Sequence, residues 1–425
     1  MLRIDADLLI PGRGDPVRDG TVVADGDTIT YAGPAAEAPS LPPARLRVPV
    51  VMPGLWDCHG HFLGVREASL AAIAHDPLAV AAARITADAR LAINAGFTSV
   101  REPGGLGIHL ARVIDEGIVP GPHVYSSGAI ISTTGGHADI HALPQHWVAD
   151  VAHQHRGLWQ CDGVPECLKA VRTQLRLGAR LIKVCTSGGV TSELDHPLHQ
   201  QFSDEELRAI VDEAGRAERV VAAHCHGKAG IMAALRAGVH TIEHGSYLDE
   251  EAVAAMLDTG AVLVPTRFVM ERLLAMKDEL PDYVDRKIRA VAEDHAQSLE
   301  LAIRSGVPVV LGTDAFTSGA GSAVPWGRNG EEATYLVAAG LSPLQAIAAA
   351  TADAPATLGP QAPRSGLLAE GFDADLIALA ADPTRDITVL ADPANVTHVW
   401  KGGAEMKAPR SGAGEVGQGP PPTLR

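Results

Sequence analysis

Short apolar runs and longer alanine-rich stretches alternate through the middle of the chain, from about residue 51 to residue 360. The runs fall at 51–61, 98–102, 123–131, 181–187, 220–226, 241–245, 261–266 and 309–314, and read as buried strands. Helices are predicted between most of them, at 78–95, 109–115, 165–177, 204–218, 228–237, 250–259 and 284–305, with 330–339 and 343–358 after the last run. Asp204 and Asp249 stand where N-caps belong, and Gly96, Gly178, Gly238, Gly260 and Gly306 stand where C′ glycines belong. Eight strands alternating with helices predict an α/β fold of the (β/α)8 TIM-barrel type. A doubly wound sheet would place a glycine-rich phosphate turn after its first strand, where this chain has His59-Gly-His61.

The two ends have a different texture. Residues 6–10, 20–24 and 28–32 alternate and turn at Gly26-Asp27, and 371–379 and 396–402 alternate in the same way. Residues 1–50 and 361–407 are therefore expected to pair into one small β-sandwich domain, interrupted by the 51–360 barrel. The Pro- and Gly-rich stretch 408–425 is expected to be disordered.

Composition narrows the classes. A formal charge of −16 argues against nucleic acid or anionic membranes as partners. Five scattered cysteines do not form a disulfide framework or a four-cysteine zinc site. No basic segment leading into an apolar one opens the chain, and no window approaches 18 apolar residues, so a cytoplasmic protein is expected.

Strand carboxyl ends converge on one mouth of a barrel. Read in order, those ends carry His59 and His61, Glu102, Lys183, His224, His244 and Asp314. If 51–61 is one strand, His59 and His61 project from the same side, and Gly60 leaves room for an ion. One such histidine is more often a satisfied core residue, but the joint occurrence on separate strands points to a metal site. Lys183 lies between apolar neighbours, where an unpaired ammonium is costly. It is either paired with a carboxylate such as Glu102, or desolvated enough to react with CO2 and give a carbamate able to bridge two cations.

The segments Val51-Met-Pro-Gly-Leu-Trp-Asp-Cys-His-Gly-His61, Ile182-Lys-Val-Cys-Thr-Ser-Gly-Gly189, Ala223-His-Cys-His-Gly227, Ile242-Glu-His-Gly-Ser-Tyr247 and Gly312-Thr-Asp314 together resemble the amidohydrolase superfamily. The resemblance is to its prolidase-like branch, which includes Xaa-Pro dipeptidases, carboxypeptidases and ochratoxin-type amide hydrolases. It implies two divalent ions, Zn2+ by expectation. His59, His61 and Asp314 would hold the more buried one and His224 and His244 the other, with N6-carboxylated Lys183 and a hydroxide bridging them. Asp314 would be the base. His137 would lie beside the substrate carbonyl, with His226 and Tyr247 as further substrate contacts, and His137 or Tyr247 would stabilise the oxyanion. Arg101, Arg267 and Arg328 are on or after strands two, seven and eight, where an arginine can bind a substrate carboxylate bidentately. A homo-oligomer is implied as well.

Two positions depart from the branch. Pro325-Trp-Gly-Arg-Asn329 replaces its Pro-His-Gly-x-Asn loop, and Ala138 replaces a glycine. The expected reaction is hydrolysis of an amide: a C-terminal amino acid, a proline dipeptide or an N-acyl amino acid. Carbamates, phenylureas or phosphoesters are the alternative at the same metal pair. A mononuclear deaminase ranks lower, because Gly227 occupies the position where that chemistry wants a glutamate.

Overall fold

The computed structural model describes residues 1–39, 46–276, 279–319 and 321–409; most of the expected disordered tail, 410–425, lies outside them. Eight segments form a closed ring of parallel strands. Leu55–Asp57, Phe97–Glu102 and His123–Ser126 pair in that order. Arg180 N then donates to Ser126 O, leading into Ile182–Cys185, Val221–Cys225, Thr241–His244 and Val262–Val264. Residues 309–311 close the circle, through the Leu263–Val309 bridge on one side and Cys58 N to Leu311 O on the other.

Helices connect these strands close to the expected places, including Leu78–Asn94, Gly163–Leu177, Lys228–Ala237, Glu250–Thr259 and Asp282–Arg304. Asp249 caps its helix through Ala252 N, whereas the cap before Asp204 is Ser203, in a capping box with Glu206. Gly178, Gly238 and Gly260 end their helices in the left-handed region, with φ of 100°, 89° and 70°. Three helices lack a signal strong enough to read from the sequence: Ala71–His75, Gln145–His153 and Arg267–Ala275.

Both chain ends join in one seven-stranded sheet that also takes up Leu46–Pro53. The sheet rolls until Thr28 bridges Asp373, enclosing Ile4, Leu9, Val22, Ile29, Leu376 and Trp400 in a separate small core.

The expected single strand 51–61 is divided. Leu46–Pro53 belongs to the terminal sheet, Leu55–Asp57 to the barrel, and Gly60–Val65 to a third pairing with Ala315–Thr317. Gly60 makes room for a side chain, not for an ion. A Cβ there would lie 2.6 Å from the Trp326 ring, which stacks on Phe62 at 4.1 Å. The tryptophan that replaces the branch's histidine is thus a buried prop beneath the first motif. Gly60→Ala should destabilise the protein by ~1–3 kcal/mol through overpacking, and the penalty should shrink in a Trp326→Ala background. Denaturant unfolding of the two single variants and the double variant reads this directly.

Candidate active site

At the carboxyl ends of the strands the backbone breaks its own alternation. His244, Thr266 and Asp314 have φ of 70°, 56° and 58°, conformations that branched or bulky residues adopt only when held by their surroundings. These breaks turn successive side chains to the same side. Five of the six histidines predicted as ligands or substrate contacts form a continuous ring-to-ring network: His59–His244 at 5.1 Å, His244–His224 at 4.6 Å, His224–His226 at 4.8 Å and His224–His137 at 4.1 Å. His61 sits 5.1 Å from His59, edge to face.

The outer nitrogen of each ring fixes what the inner one offers. His59 Nδ1 donates to Glu243 at 2.5 Å, and His61 Nδ1 to the Gly104 carbonyl at 2.6 Å. His224 Nε2 donates to the Gly188 carbonyl at 3.2 Å. Burial holds His59 down to about 4 and His226 to about 3, and keeps His224 and His244 well below the usual range, so the rings are neutral. His59 Nε2 and His224 Nδ1 are therefore bare lone pairs, and His61, whose Nδ1 is taken by a carbonyl, turns Nε2 to the same side.

His59 Nε2 and His61 Nε2 face each other at 3.2 Å, with Asp314 Oδ1 3.2 Å from His61 Nε2 and 3.8 Å from His59 Nε2. The three ligand atoms lie within 4.8 Å of one another. Electron-rich atoms this close repel unless a cation lies between them. The donor set, two imidazoles and a carboxylate, suits Zn2+.

Lys183 lies beside them, 2% exposed. Burial lowers its pKa, and the charges of Glu243 and Asp314 only partly offset this. Among the described residues its Nζ has no hydrogen-bond or ion-pair partner. The pairing with Glu102 does not form. Glu102 instead accepts from Phe62 N, Gly107 N and Ser126 Oγ, and burial pushes its carboxyl up to about 7.

Lys183, His59, His61, His137, His224, His226, His244 and Asp314 line one cavity, open at its mouth. Its other walls are apolar, among them Leu63, Ile73, Val190, Met270, Ile288 and Phe316. Such walls suit a small molecule with an apolar part.

Four predicted contacts lie elsewhere. Arg101 is fully buried beneath the site. It holds Glu243 through both carboxylate oxygens at 2.6 and 2.7 Å, the Cys58 carbonyl at 2.5 Å and Thr241 at 3.0 Å. Arg267 is taken up by the Ala292 carbonyl and Glu271, and Arg328 pairs with Glu331 near the surface. Tyr247 donates its hydroxyl to the Ala290 carbonyl, 3.1 Å away, and does not line the cavity. Each found a local partner that a one-dimensional reading cannot see.

The sequence reading also missed the supports. Glu243 joins Arg101 to His59. Asp57 accepts from His59 N, Thr313 N, Thr313 Oγ1 and Asn329 Nδ2, tying the first and last strand ends together. Thr266 and Ser246 hold His244 and His226 by Nδ1, each at 2.7 Å. The one available signal was their place beside the ligands in the motifs.

Comparison with known proteins agrees with this architecture. A model of the amidohydrolase family matches residues 50–406. Ochratoxinase of Aspergillus niger is 44% identical over 427 residues, which cover 96% of this chain and 87% of that protein. The crystal structure of A. niger ochratoxinase superposes with a TM-score of 0.89 at 43% identity, covering 97% of this chain and 96% of the other. A prolidase crystal structure, complexed with N-methylphosphonate-L-proline, superposes with a TM-score of 0.87 at 32% identity, over 96% and 99% of the two chains. Over nearly its whole length, this chain is a prolidase-like member of the amidohydrolase family, a metal-dependent hydrolase of carbon–nitrogen amide bonds.

Proposed function

We propose that the protein hydrolyses the amide bond between an apolar acyl group and an amino acid. The observation that carries this reading is the cavity itself: converging lone pairs and an unpaired lysine at one end, apolar walls over the rest. The named activities of the relatives, ochratoxinase and prolidase, lie in the same class of bond. His59, His61 and Asp314 would hold one divalent ion, and His224 and His244 a second. Lys183, carboxylated by CO2, would supply the negative charge between them. When bound, zinc ions supply Lewis acidity, polarising the scissile carbonyl and lowering the pKa of a shared water to ~7 or below.

The chain's own residues do the rest. Asp314 turns Oδ1 toward His61 Nε2, where the ion would be held, which leaves Oδ2 to take the proton of the attacking water and pass it to the leaving nitrogen. Burial opposes its charge, but the imidazoles of His61 and His59 and the amine of Lys183 beside it outweigh this and hold its carboxyl below the usual range, so it begins as the base. Met270, Phe316 and Leu63 exclude water and receive the apolar acyl group. Five free, buried cysteines favour a reducing compartment, and a cytoplasmic homo-oligomer is part of the same reading. Among the described residues, no helix is long and apolar enough to cross a membrane.

The test is a substrate screen on the metal-loaded enzyme. N-acyl amino acids with apolar side chains should be turned over, and chelation should abolish turnover until Zn2+ is restored. Hydrolysis of carbamates, phenylureas or phosphotriesters with no hydrolysis of N-acyl amino acids would sink the proposal.

A further inference from the structure

Three carbonyls of the loop after the fourth barrel strand turn inward on one point. Nζ of Lys287, on the Asp282–Arg304 helix and in a residue only 9% exposed, lies at that point. It donates to the carbonyls of Asp195 at 2.6 Å, Ser192 at 2.7 Å and Gly189 at 3.1 Å, and reaches Asp195 Oδ1 at 3.2 Å. Among the described residues, no backbone N–H donates to these three carbonyls. Inward carbonyl oxygens without a donor are costly, and gathered together they also repel. The Lys287 ammonium offsets both costs, with three protons spread over four oxygens.

An ion pair with Asp195 accounts for only one of those four contacts. The other three are to backbone, which makes the arrangement that of a monovalent cation in an oxygen cage, with the cation tethered to a helix. The cage borders the cavity. Val190 and Thr191, inside the caged segment, line it together with Ile288, the helix residue after Lys287. Tyr283, one turn earlier on the helix, donates its hydroxyl to the Thr191 carbonyl at 3.3 Å.

We infer that Lys287 is a positioning residue whose ammonium serves as a built-in monovalent cation, folding residues 189–195 into the wall that receives the apolar acyl group. The inference rests on the cavity being the amide site. It gives Lys287 a part in substrate selection, although Lys287 itself does not line the cavity.

Lys287→Ala takes the cation out of the cage and leaves the oxygens in place. On the metal-loaded protein without substrate, amide hydrogen exchange across residues 188–199 should quicken by roughly tenfold or more, the scale of one buried hydrogen bond lost. Potassium or ammonium chloride should restore most of that protection. Choline chloride at the same ionic strength should not, because choline is too large for the cage. For N-acyl amino acids with apolar acyl groups, KM should rise by a similar factor with kcat nearly kept, and fall again with potassium or ammonium. Lys287→Met fills the path of the stem, so it should show the same losses without rescue, and the wild type should respond to none of these salts. Wild-type exchange or KM in either variant would overturn the inference, as would rescue of Lys287→Ala by choline or by no cation at all. Exchange is read without substrate, so its outcome stands apart from a failure to hydrolyse amides.

Discussion

Exchanging Lys183 for methionine should leave a protein at least as stable as the parent, while turnover falls by ~10²–10³-fold or more, the scale of removing one preorganised charge-stabilising group. The two effects have one cause. Lys183 Nζ is buried without a counterion, so its charged form is a liability to the fold. Methionine keeps the unbranched stem and its packing while removing that liability. A lysine retained in such a place is explained by the nucleophilic free amine that burial favours. The same burial that lowers its pKa from 10.5 favours the neutral amine, the form able to take up CO2. Metal analysis should show two equivalents per wild-type chain and fewer in Lys183→Met, with a CO2 adduct on Lys183 by mass spectrometry of the loaded wild type alone. Two equivalents with wild-type turnover in the variant would remove the bridging role.

The sign of the pH effect follows from the same shift. Lys183 has a folded pKa below its unfolded one, so between the two values the unfolded chain binds more protons. Stability of the metal-free protein should therefore rise with pH across that window, which ends near 10.5. Lys183→Met should flatten this slope relative to wild type; parallel unfolding curves would show that Lys183 carries no such penalty.

Residues at strand ends were readable because a parallel barrel places them together whatever the helices do. His59, His61, Lys183, His224, His244 and Asp314 all line one cavity for that reason. The detail behind His59 and His61 was different, since the barrel strand ends at Asp57 and the next begins at Gly60, so that His59 lies between two separate pairings and His61 within the second. Arg101 shows why the rest was hidden. Its guanidinium answers a carboxylate 142 residues away, across the barrel interior, and nothing local distinguishes it from an arginine facing a substrate. Glu243 was concealed by alternation: beside a ligand it should point away, but the φ of 70° at His244 turns both residues inward. Tyr247 was placed correctly after the sixth strand, yet its hydroxyl is drawn to the long Asp282–Arg304 helix, whose packing the sequence does not specify.

That hidden pair should also prove the most costly to break. In Glu243→Ala, the Arg101 guanidinium keeps its bonds to the Cys58 carbonyl and Thr241 but loses its counterion at complete burial. A stranded buried charge of this kind costs about 3–5 kcal/mol, enough to consume much of a domain's stability. Burial disfavours the Glu243 carboxylate, but Arg101 and His59 outweigh it and hold its pKa well below the usual range, so the pair is ionised at any working pH. Removing both charges together, as Arg101→Leu/Glu243→Gln, should recover a large part of the loss, because the amide still accepts from His59 and no charge remains unpaired. Metal binding separates the two roles of Glu243. Its grip on His59 Nδ1 aims the bare Nε2 at the metal position, so Glu243→Ala should weaken metal affinity by about 10–100-fold. The double variant should keep most of that affinity. Additive stability losses across Arg101→Leu, Glu243→Gln and the double variant, or wild-type metal affinity in Glu243→Ala, would show that the arginine and the histidine are not coupled through this carboxylate.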